Sequence, residues 1–288
     1  MRAATPRAKA RLSAEERHDD AAGKESIARH WTKGMTATTL SETLHPIKPA
    51  SDHLMDQTSS LRLAIFDCDG TLVDGQYAIL AAMRAAWRAE HIPDPDPDKV
   101  RRVVGLPLVT AIETLLPDAS AALHRALSVH YVEAFQRLRM APDYREPLFP
   151  GAVEALERMA SEGFVLGIAT GKSRRGLLAT LGRHGLERRF ATFQTSDEGP
   201  GKPDPRMVNL AMADIGAEPA GTVMIGDTVF DMEMAQNANV IAVGVSWGYH
   251  GGHELRAAGA VAVADTFDDL PRIIADVMNR QQGGADAD

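Results

Sequence analysis

The chain has few of the residues that mark several common classes of protein. Its 288 residues include a single cysteine, Cys68, which excludes an intrachain disulfide and leads us to expect a reducing, cytoplasmic location. No run approaches the roughly 18 apolar residues that span a bilayer, so no membrane partner is expected. The net charge of −8 argues against an extended nucleic-acid surface. No cluster of histidine and cysteine offers a zinc site.

Residues 1–60 differ from the rest of the chain because they carry mixed charge and lack a sustained apolar period. They contain no secretory apolar core, and they are too acidic between positions 15 and 25 for a mitochondrial presequence. We expect a mostly disordered N-terminal extension. A second hypothesis is that translation begins at Met35 or Met55, because the recognisable domain starts only near Leu61.

From Leu61 onward, apolar strand candidates alternate with amphipathic helix candidates. The strand candidates are residues 61–67, 164–170, 190–194, 222–226, 240–246 and 261–264. The helix candidates between them are residues 151–162, 173–184, 204–215, 229–237, 253–258 and 268–279. This alternation predicts an α/β fold, a Rossmann-like parallel sheet covered by helices on both faces. In such sheets, ligands bind beyond the carboxyl ends of the strands.

Residues 75–149 break the alternation, because they contain helix patterns but no convincing strand. Helices are expected over residues 77–90, 107–116 and 119–140, and we interpret the segment as an inserted α-helical cap domain. The core domain then comprises residues 61–74 and 150–280, with joints at residues 73–75 and 147–151 and a disordered tail at 281–288. Insertions on the ligand-binding face commonly act as lids.

The most informative stretch is Asp67-Cys68-Asp69-Gly70-Thr71, which directly follows the first strand candidate. Residues two apart in an extended chain face the same way, so Asp67 and Asp69 project together while Cys68 turns away. Gly70 permits a sharp turn and a close approach to a ligand. A functional interpretation makes Asp67 a nucleophile that forms an aspartyl phosphate, with Asp69 as acid and then base. A solvated Asp- and Gly-rich turn explains the stretch equally well by itself.

Two further clusters offer groups that bind anions. Thr170 and Gly171 place a hydroxyl and backbone amides at a strand-to-helix turn, which favours phosphate binding. Lys172 either assists them or points to solvent, and Ser173 is suited to cap the next helix. Lys202 precedes a proline in a rigid, extended segment, which suits a charge that meets both a phosphate and the carboxylates. Taken alone, that segment is explained more simply as a proline-rich helix start.

The fourth cluster follows the strand candidate 222–226. Asp227 and Asp231 are four residues apart and share a side if a helix begins there. Asp227 would be a metal ligand and Asp231 would brace the metal shell or Lys202, although a helix dipole also favours such acids. Carboxylates that converge at one sheet edge repel one another unless nearby positive charge balances them. Mg²⁺ together with Lys202 supplies that charge, because Mg²⁺ prefers carboxylate, phosphate and water oxygens.

These four clusters, in this order, resemble the haloacid dehalogenase superfamily over about residues 61–280. The helical insertion and residues 243–250 resemble its helical-cap branch, which contains phosphoglycolate phosphatases. The resemblance implies a Mg²⁺-dependent phosphatase acting on a small phosphate ester, with phosphoglycolate as the first candidate. A phosphomutase of the β-phosphoglucomutase type and a non-catalytic binding protein of the same fold are the alternatives. Neither the sequence nor the resemblance indicates the oligomeric state.

The resemblance also implies roles for individual residues. Asp67 would be the nucleophile and Asp69 the acid and base. Mg²⁺ would be bound by the Asp67 side chain, the Asp69 backbone carbonyl and Asp227. Residues 104–107 would form a substrate-selecting loop.

The remaining implied roles concern the phosphate and the support of the metal site. Thr170, Gly171 and Lys202 would bind phosphate, while Asp231 would support the metal ligands. Residues 247–250 either shape the pocket or pack against the insertion. Arg101 and Arg102, which lie beside the substrate-selecting loop, could meet a substrate carboxylate, but we interpret them as a solvated basic face.

Overall fold

The computed structural model of the protein describes residues 61–285. The expected N-terminal extension, residues 1–60, and the last three residues of the expected tail lie outside the described residues. The described part contains one six-stranded sheet in the order β3-β2-β1-β4-β5-β6, and every paired neighbour is parallel. The strands are β1 Arg62–Phe66, β2 Phe164–Thr170, β3 Thr192–Thr195, β4 Thr222–Gly226, β5 Ile241–Val245 and β6 Ala262–Ala264.

Ten α-helices accompany these strands in the described part of the chain. They are α1 Gln76–Ala89, α2 Pro97–Arg102, α3 Leu108–Leu115, α4 Ala121–Met140, α5 Ala152–Ser161, α6 Arg174–His184, α7 Arg206–Ile215, α8 Val229–Asn237, α9 Gly252–Ala257 and α10 Leu270–Ala285. The parallel α/β fold and the alternation from β1 to α10 are therefore confirmed, with element boundaries within a few residues of the sequence prediction.

Alternate residues of the central strand β1 face two separate apolar cores. Ala64 and Phe66 pack with residues of α5, α6 and α10, whereas Leu63 and Ile65 pack with residues of α7, α8 and α9. This explains why the sequence of β1 is apolar throughout instead of alternating, since both of its faces are buried. Both faces of β1 are packed, and the residues that follow it, beginning with Asp67, lie at the edge of the sheet.

The strand register brings three chain segments to that edge. Phe66 of β1 pairs with Ile168 of β2 on one side and with Ile225 of β4 on the other. The backbone N–H of Asp67 continues the pairing by donating to the carbonyl of Ile225 at 2.9 Å. Residues that follow β1, β2 and β4 therefore lie next to one another.

Helices α1 to α4 build a third apolar core of their own. Met83 and Trp87 of α1 pack there with Ile112 of α3 and with Leu127 and Phe135 of α4. The two ends of the inserted segment lie side by side where they join the core domain. The N–H of Asp74 donates to the carbonyl of Pro147 at 2.8 Å, and the N–H of Phe149 donates to the carbonyl of Leu72 at 3.0 Å.

Two features of the sequence prediction need correction. Helix α2 was not expected, because the sequence prediction placed no helix between residues 90 and 107. The Asp96 side chain in fact caps it by accepting from the N–H of Asp98 at 2.9 Å, with Pro97 in the first helical position, a typical helix start. Helix α10 continues to Ala285, six residues beyond the expected helix end at residue 279. No helix in the described residues is long and apolar enough to cross a membrane.

Candidate active site

Asp67 lies directly after β1 and is buried, with 1% of its surface exposed. Its Oδ1 lies 2.7 Å from Nζ of Lys202, whereas no hydrogen-bond donor among the described residues reaches Oδ2. Burial raises the pKa of Asp67, and the charge of Lys202 opposes that shift. Cys68 turns the other way into the apolar core, as the strand period predicts, and burial raises the pKa of its thiol well above the usual range.

Lys202 is a fully buried cation between two carboxylates. Its Nζ lies 2.7 Å from Asp67 Oδ1 and 2.6 Å from Asp231 Oδ1. Burial alone would lower the pKa of Lys202, but the charges of Asp231 and Asp67 outweigh burial and raise it. The ammonium group is therefore charged at neutral pH and fixed beside the open oxygen of Asp67.

Asp231 holds Lys202 from the first turn of α8. Its Oδ2 accepts from the backbone N–H of Thr228 at 3.0 Å and from the Thr228 hydroxyl at 2.7 Å. Thr228 is the N-cap of this helix, because its Oγ1 accepts from the backbone N–H of Asp231 at 3.4 Å. The remaining oxygen, Oδ1, faces Lys202. This geometry matches the expectation that Asp231 braces Lys202.

Asp227 is buried and held through both of its oxygens. Oδ1 accepts from the Thr71 hydroxyl at 2.9 Å, and Oδ2 accepts from the backbone N–H of Tyr249 at 2.8 Å. Burial and the neighbouring Asp231 and Asp67 raise the pKa of Asp227 well above the usual range. Asp67, Asp227 and Asp231 each place one oxygen within 4.8 Å of the others. This cluster of three buried carboxylates offers the hard oxygen ligands that fit a divalent cation such as Mg²⁺.

Two glycines allow the chain to close around Asp227. A Cβ added at Gly70, where φ is +83°, would overlap Asp227 Oδ2 and the ring of Tyr249. A Cβ added at Gly248 would overlap Cβ and Oδ2 of the same aspartate. Any larger residue would push the carboxylate out of its place, so both positions require glycine.

Lys172 does not point to solvent, and that interpretation of it was wrong. Its Nζ lies 2.9 Å from Asp69 Oδ1 and 3.0 Å from Glu146 Oε1, with 7% of the side chain exposed. Burial raises the pKa of Asp69, and Lys172 works against this shift. The remaining anion-binding candidates are in place beside it: Thr170 is buried at the end of β2, and the carbonyl of Gly171 accepts from Ser196 Oγ at 2.8 Å.

Glu146 is the residue of this network that the sequence analysis missed. Its carboxylate is buried, contacts Lys172 and accepts from the Thr180 hydroxyl at 2.9 Å. Burial disfavours its charged form, but Lys172 and Thr180 outweigh burial and lower the pKa of Glu146. No local pattern signals this residue, because its partners come from distant parts of the chain.

Comparison with known proteins agrees with this arrangement. The family model described as haloacid dehalogenase-like hydrolase matches residues 64–245. The chain belongs to this family. It is 36% identical to the "Probable phosphatase IndB" of Dickeya dadantii over 72% of this chain and 91% of that one. It is 30% identical to the phosphoglycolate phosphatase of Mesorhizobium japonicum over 77% of this chain and 98% of that one.

A solved structure shares the fold of this chain. A hydrolase from Pseudomonas syringae superposes with a TM-score of 0.68 at 30% identity, covering 75% of this chain and 99% of that one. The haloacid dehalogenase-like resemblance drawn from the four clusters is therefore confirmed.

In this member of the haloacid dehalogenase-like family, a cavity of about 310 Å³ lies between the sheet edge and helices α1, α3 and α4. Asp67, Asp69, Thr170, Gly171 and Lys172 line its floor. The side chains that the sequence placed at the ends of β1 and β2 are therefore brought together in one cavity. The cavity is where a substrate would reach the open oxygen of Asp67.

Residues 247–250 form hydrogen bonds both to the core domain and to the inserted helices. Trp247 Nε1 donates to the carbonyl of Thr71 at 3.0 Å. His250 Nδ1 accepts from the backbone N–H of Val229 at 3.0 Å, and its Nε2 lies 3.2 Å from the carbonyl of Arg102. The loop therefore packs against the inserted segment through His250, and none of its four residues lines the cavity described above.

Arg102 is exposed, as the solvated-face interpretation predicts, but it is paired with an acid of the core. Its Nη1 and Nη2 donate to the two carboxylate oxygens of Glu254 at 2.8 and 2.7 Å. The pair joins the end of α2 to α9, and the guanidinium lowers the pKa of Glu254 to about 2. The inserted helices are thus held against the core beside His250.

Proposed function

We propose that this chain is a Mg²⁺-dependent phosphatase that hydrolyses a small phosphomonoester through an aspartyl phosphate on Asp67. The observation that supports this most directly is the free Oδ2 of Asp67, buried on the floor of the cavity and without a donor among the described residues. A nucleophilic carboxylate requires such a free oxygen. The relatives named as phosphatases support the same reaction class.

The acidic cluster is the proposed Mg²⁺ site. The side chains of Asp67 and Asp227 and the backbone carbonyl of Asp69 would hold the ion, and Asp231 would support them by positioning Lys202. When bound, the ion supplies positive charge that offsets the carboxylates and the phosphate oxygens. Lys202, which contacts Asp67 Oδ1 at 2.7 Å, would supply the second part of that charge.

In the first step, Asp67 Oδ2 forms a bond to phosphorus while the bond from phosphorus to the leaving oxygen breaks. The Thr170 hydroxyl, the Gly171 amide and Lys202 bind the non-bridging oxygens, where charge is spread in the transition state. Asp69 donates its proton to the leaving oxygen. Burial favours this role, because it raises the pKa of Asp69 and so favours the protonated acid.

In the second step, Asp69 accepts a proton from water, and the water oxygen attacks the phosphorus of the aspartyl phosphate. The bond between phosphorus and Asp67 then breaks, which releases phosphate and restores the carboxylate. Names of relatives suggest phosphoglycolate, and it is the reference ester with which others are compared. A cytoplasmic location stays a prediction from the single cysteine.

The test is hydrolysis of p-nitrophenyl phosphate and phosphoglycolate with Mg²⁺ and with EDTA. We expect release of phosphate that EDTA abolishes, and loss of at least about 10³-fold in kcat for Asp67→Asn, since the nucleophile is gone. Asp118→Asn, at an exposed position, is the matched control and should retain full activity. Activity of a folded Asp67→Asn protein near that of the parent would overturn the proposal. Asp69→Asn should slow both steps, and intact mass spectrometry would detect any phosphorylated enzyme.

A further inference from the structure

Among the described residues, three basic side chains line the cavity of the candidate active site: Arg139, Lys172 and Arg175. Lys172 contacts Asp69 and Glu146, so its charge is balanced. Arg139 lies in the last turn of α4, in the inserted segment, and Arg175 lies in the first turn of α6, in the core domain. The two arginines therefore reach the same cavity from the two parts of the molecule.

The charge of Arg139 has no acidic partner. The residue is half-buried, and its Nε is buried without a hydrogen-bond partner among the described residues. Its guanidinium lies 4.9 Å over the centre of the Phe135 ring, which attracts the charge but supplies no carboxylate. A half-buried guanidinium with an unpaired N–H is unfavourable, because that group has lost water and gained no acceptor in return. An anionic ligand would supply the missing acceptor.

Each acid of the cavity lining, in the part of the chain that the structure describes, is engaged elsewhere. Asp67 contacts Lys202, and Asp69 contacts Lys172. Asp197 Oδ2 accepts from the backbone N–H of the first residue of α6 at 2.7 Å. The two guanidinium groups at the cavity are therefore left for a ligand.

The guanidinium of Arg139 packs against the first turn of α6. A Cβ added at Gly176 would lie 3.7 Å from both Nη1 and Nη2 of Arg139. Arg175 directly precedes Gly176, and this first turn carries no acidic residue. Since the start of a helix is itself positive, an anion beside Arg139 would be attracted by the helix as well as by the arginines.

Phe135 lies between Arg139 and the proposed acid. The centre of its ring lies 4.9 Å from the guanidinium of Arg139 and 5.6 Å from Lys172 Nζ. Lys172 Nζ in turn contacts Asp69 at 2.9 Å. A leaving group whose oxygen takes its proton from Asp69 can therefore extend past this ring toward Arg139.

We propose that Arg139, with Arg175 beside it, forms a second anion-binding subsite for the leaving part of the substrate. This inference rests on the proposed phosphatase activity and names its substrate class: phosphomonoesters that carry a second anionic group, either a carboxylate or a second phosphate. Arg139 is then the residue that determines specificity, because a guanidinium binds either anion through paired N–H groups.

The experiment compares anionic esters with neutral counterparts. Phosphoglycolate is paired with the amide of its carboxyl group, and ethylene glycol bisphosphate is paired with hydroxyethyl phosphate. We expect kcat/KM to favour the anionic member by about tenfold to a hundredfold in at least one pair, the range for a hydrogen bond between charged groups. The pair with the larger ratio identifies the anion as carboxylate or phosphate. Ratios near one in both pairs would overturn the inference.

Two arginine variants connect the preference to α4. Arg139→Gln should lower kcat/KM for the preferred anionic ester by about tenfold or more and change that for its neutral counterpart by less than about twofold, because only the anion loses an ion pair. Arg137→Gln is the matched control, since Arg137 lies on the same helix, is 71% exposed and is outside the lining. An equal loss on both esters would mean that Arg139 supports the inserted segment and does not bind the anion. Arg175→Gln should have a smaller effect than Arg139→Gln, because Arg175 is exposed and solvent screens its charge.

A binding measurement keeps the subsite and the reaction apart. Phosphonopropionate, in which a methylene group replaces the ester oxygen of phosphoglycolate, and its carboxamide are titrated calorimetrically into the full chain with Mg²⁺. Neither compound is hydrolysed. Tighter binding of the acid that is lost in Arg139→Gln would support the subsite even if the hydrolysis assay refuted the phosphatase. Equal affinities of acid and amide in the parent would refute a carboxylate subsite and leave the phosphatase intact, and the same titration with ethane bisphosphonate and ethylphosphonate would do so for a second phosphate.

Discussion

The ammonium group of Lys172 contacts the carboxylate of Asp69 at 2.9 Å, where 7% of the lysine side chain and 13% of the aspartate side chain are exposed. The same ammonium contacts Glu146 at 3.0 Å, next to the point where the inserted helices return to the core. One buried cation therefore joins the proposed acid to that return point. The orientation of Asp69 depends on two residues, Lys172 and Glu146, neither of which was assigned a site role from the sequence.

The first prediction concerns Glu146→Gln. Loss of this charge leaves Lys172 with Asp69 as its main anionic partner, which lowers the pKa of Asp69 and so reduces the fraction of Asp69 that carries the proton it must donate. We expect kcat to fall by about tenfold to a hundredfold, part of the roughly 10²–10⁴ that a general acid contributes, with a smaller change in KM.

Steady-state kinetics with p-nitrophenyl phosphate and with an alkyl phosphate provide the measurement. The effect should be larger for the alkyl phosphate, because its leaving oxygen depends more on protonation. Glu133→Gln, at an exposed position, is the matched control. An equal loss of kcat on both esters would show that Glu146 acts on folding or binding and not on the acid.

The sequence predicted the parts of this site that follow from local patterns. Asp67 and Asp227 each follow an apolar strand, so their meeting at one sheet edge follows from the parallel topology. The roles of Lys172 and Glu146 did not follow, because burial of a lysine depends on a partner that folding brings from far along the chain. The apolar part of the cavity lining was equally hidden, since helix periodicity does not distinguish core residues from lining residues such as Met83.

The second prediction concerns the pair Arg102 and Glu254. Their side chains are 48% and 41% exposed, so solvent screens the pair and its coupling energy should be below about 1 kcal/mol. A double-mutant cycle with Arg102→Ala and Glu254→Ala measures this from urea unfolding. The coupling should shrink further in 1 M salt, as expected for a screened pair. A salt-independent coupling above about 2 kcal/mol would mean that the pair is desolvated.

The third prediction concerns pH and His250. Burial, with a contribution from Arg102, lowers the pKa of this imidazole below 6.5, and its Nδ1 accepts from Val229 in the neutral form. The unfolded chain then binds the proton at a higher pH than the folded chain does. The stability from neutral His250 is therefore complete above about pH 6.5 and decreases as the pH falls, by at most about 1.4 kcal/mol per unit.

Replacement of His250 by Asn removes this titration while keeping an acceptor near Val229. We expect the free energy of unfolding of His250→Asn to be lower at pH 7.5 but to change less between pH 7.5 and 5.5 than that of the parent. His253→Asn, at an exposed position, is the matched control. A parent and a variant with the same slope would show that other groups govern the pH dependence.

The last prediction concerns Gly248, whose missing side chain leaves room for Asp227. A methyl group there would overlap Cβ and Oδ2 of Asp227, the oxygen that accepts from the N–H of Tyr249. Gly248→Ala should therefore weaken Mg²⁺ binding by about tenfold or more, a loss typical of disturbed metal ligands, and should lower activity at limiting Mg²⁺. Gly252→Ala is the control, because its Cβ would lie no closer than 3.4 Å to Arg256 Nη1. Calorimetric titration with Mg²⁺ separates the outcomes. Unchanged affinity in a folded Gly248→Ala protein would mean that Asp227 does not hold the ion, because the overlap displaces that carboxylate whatever else it does.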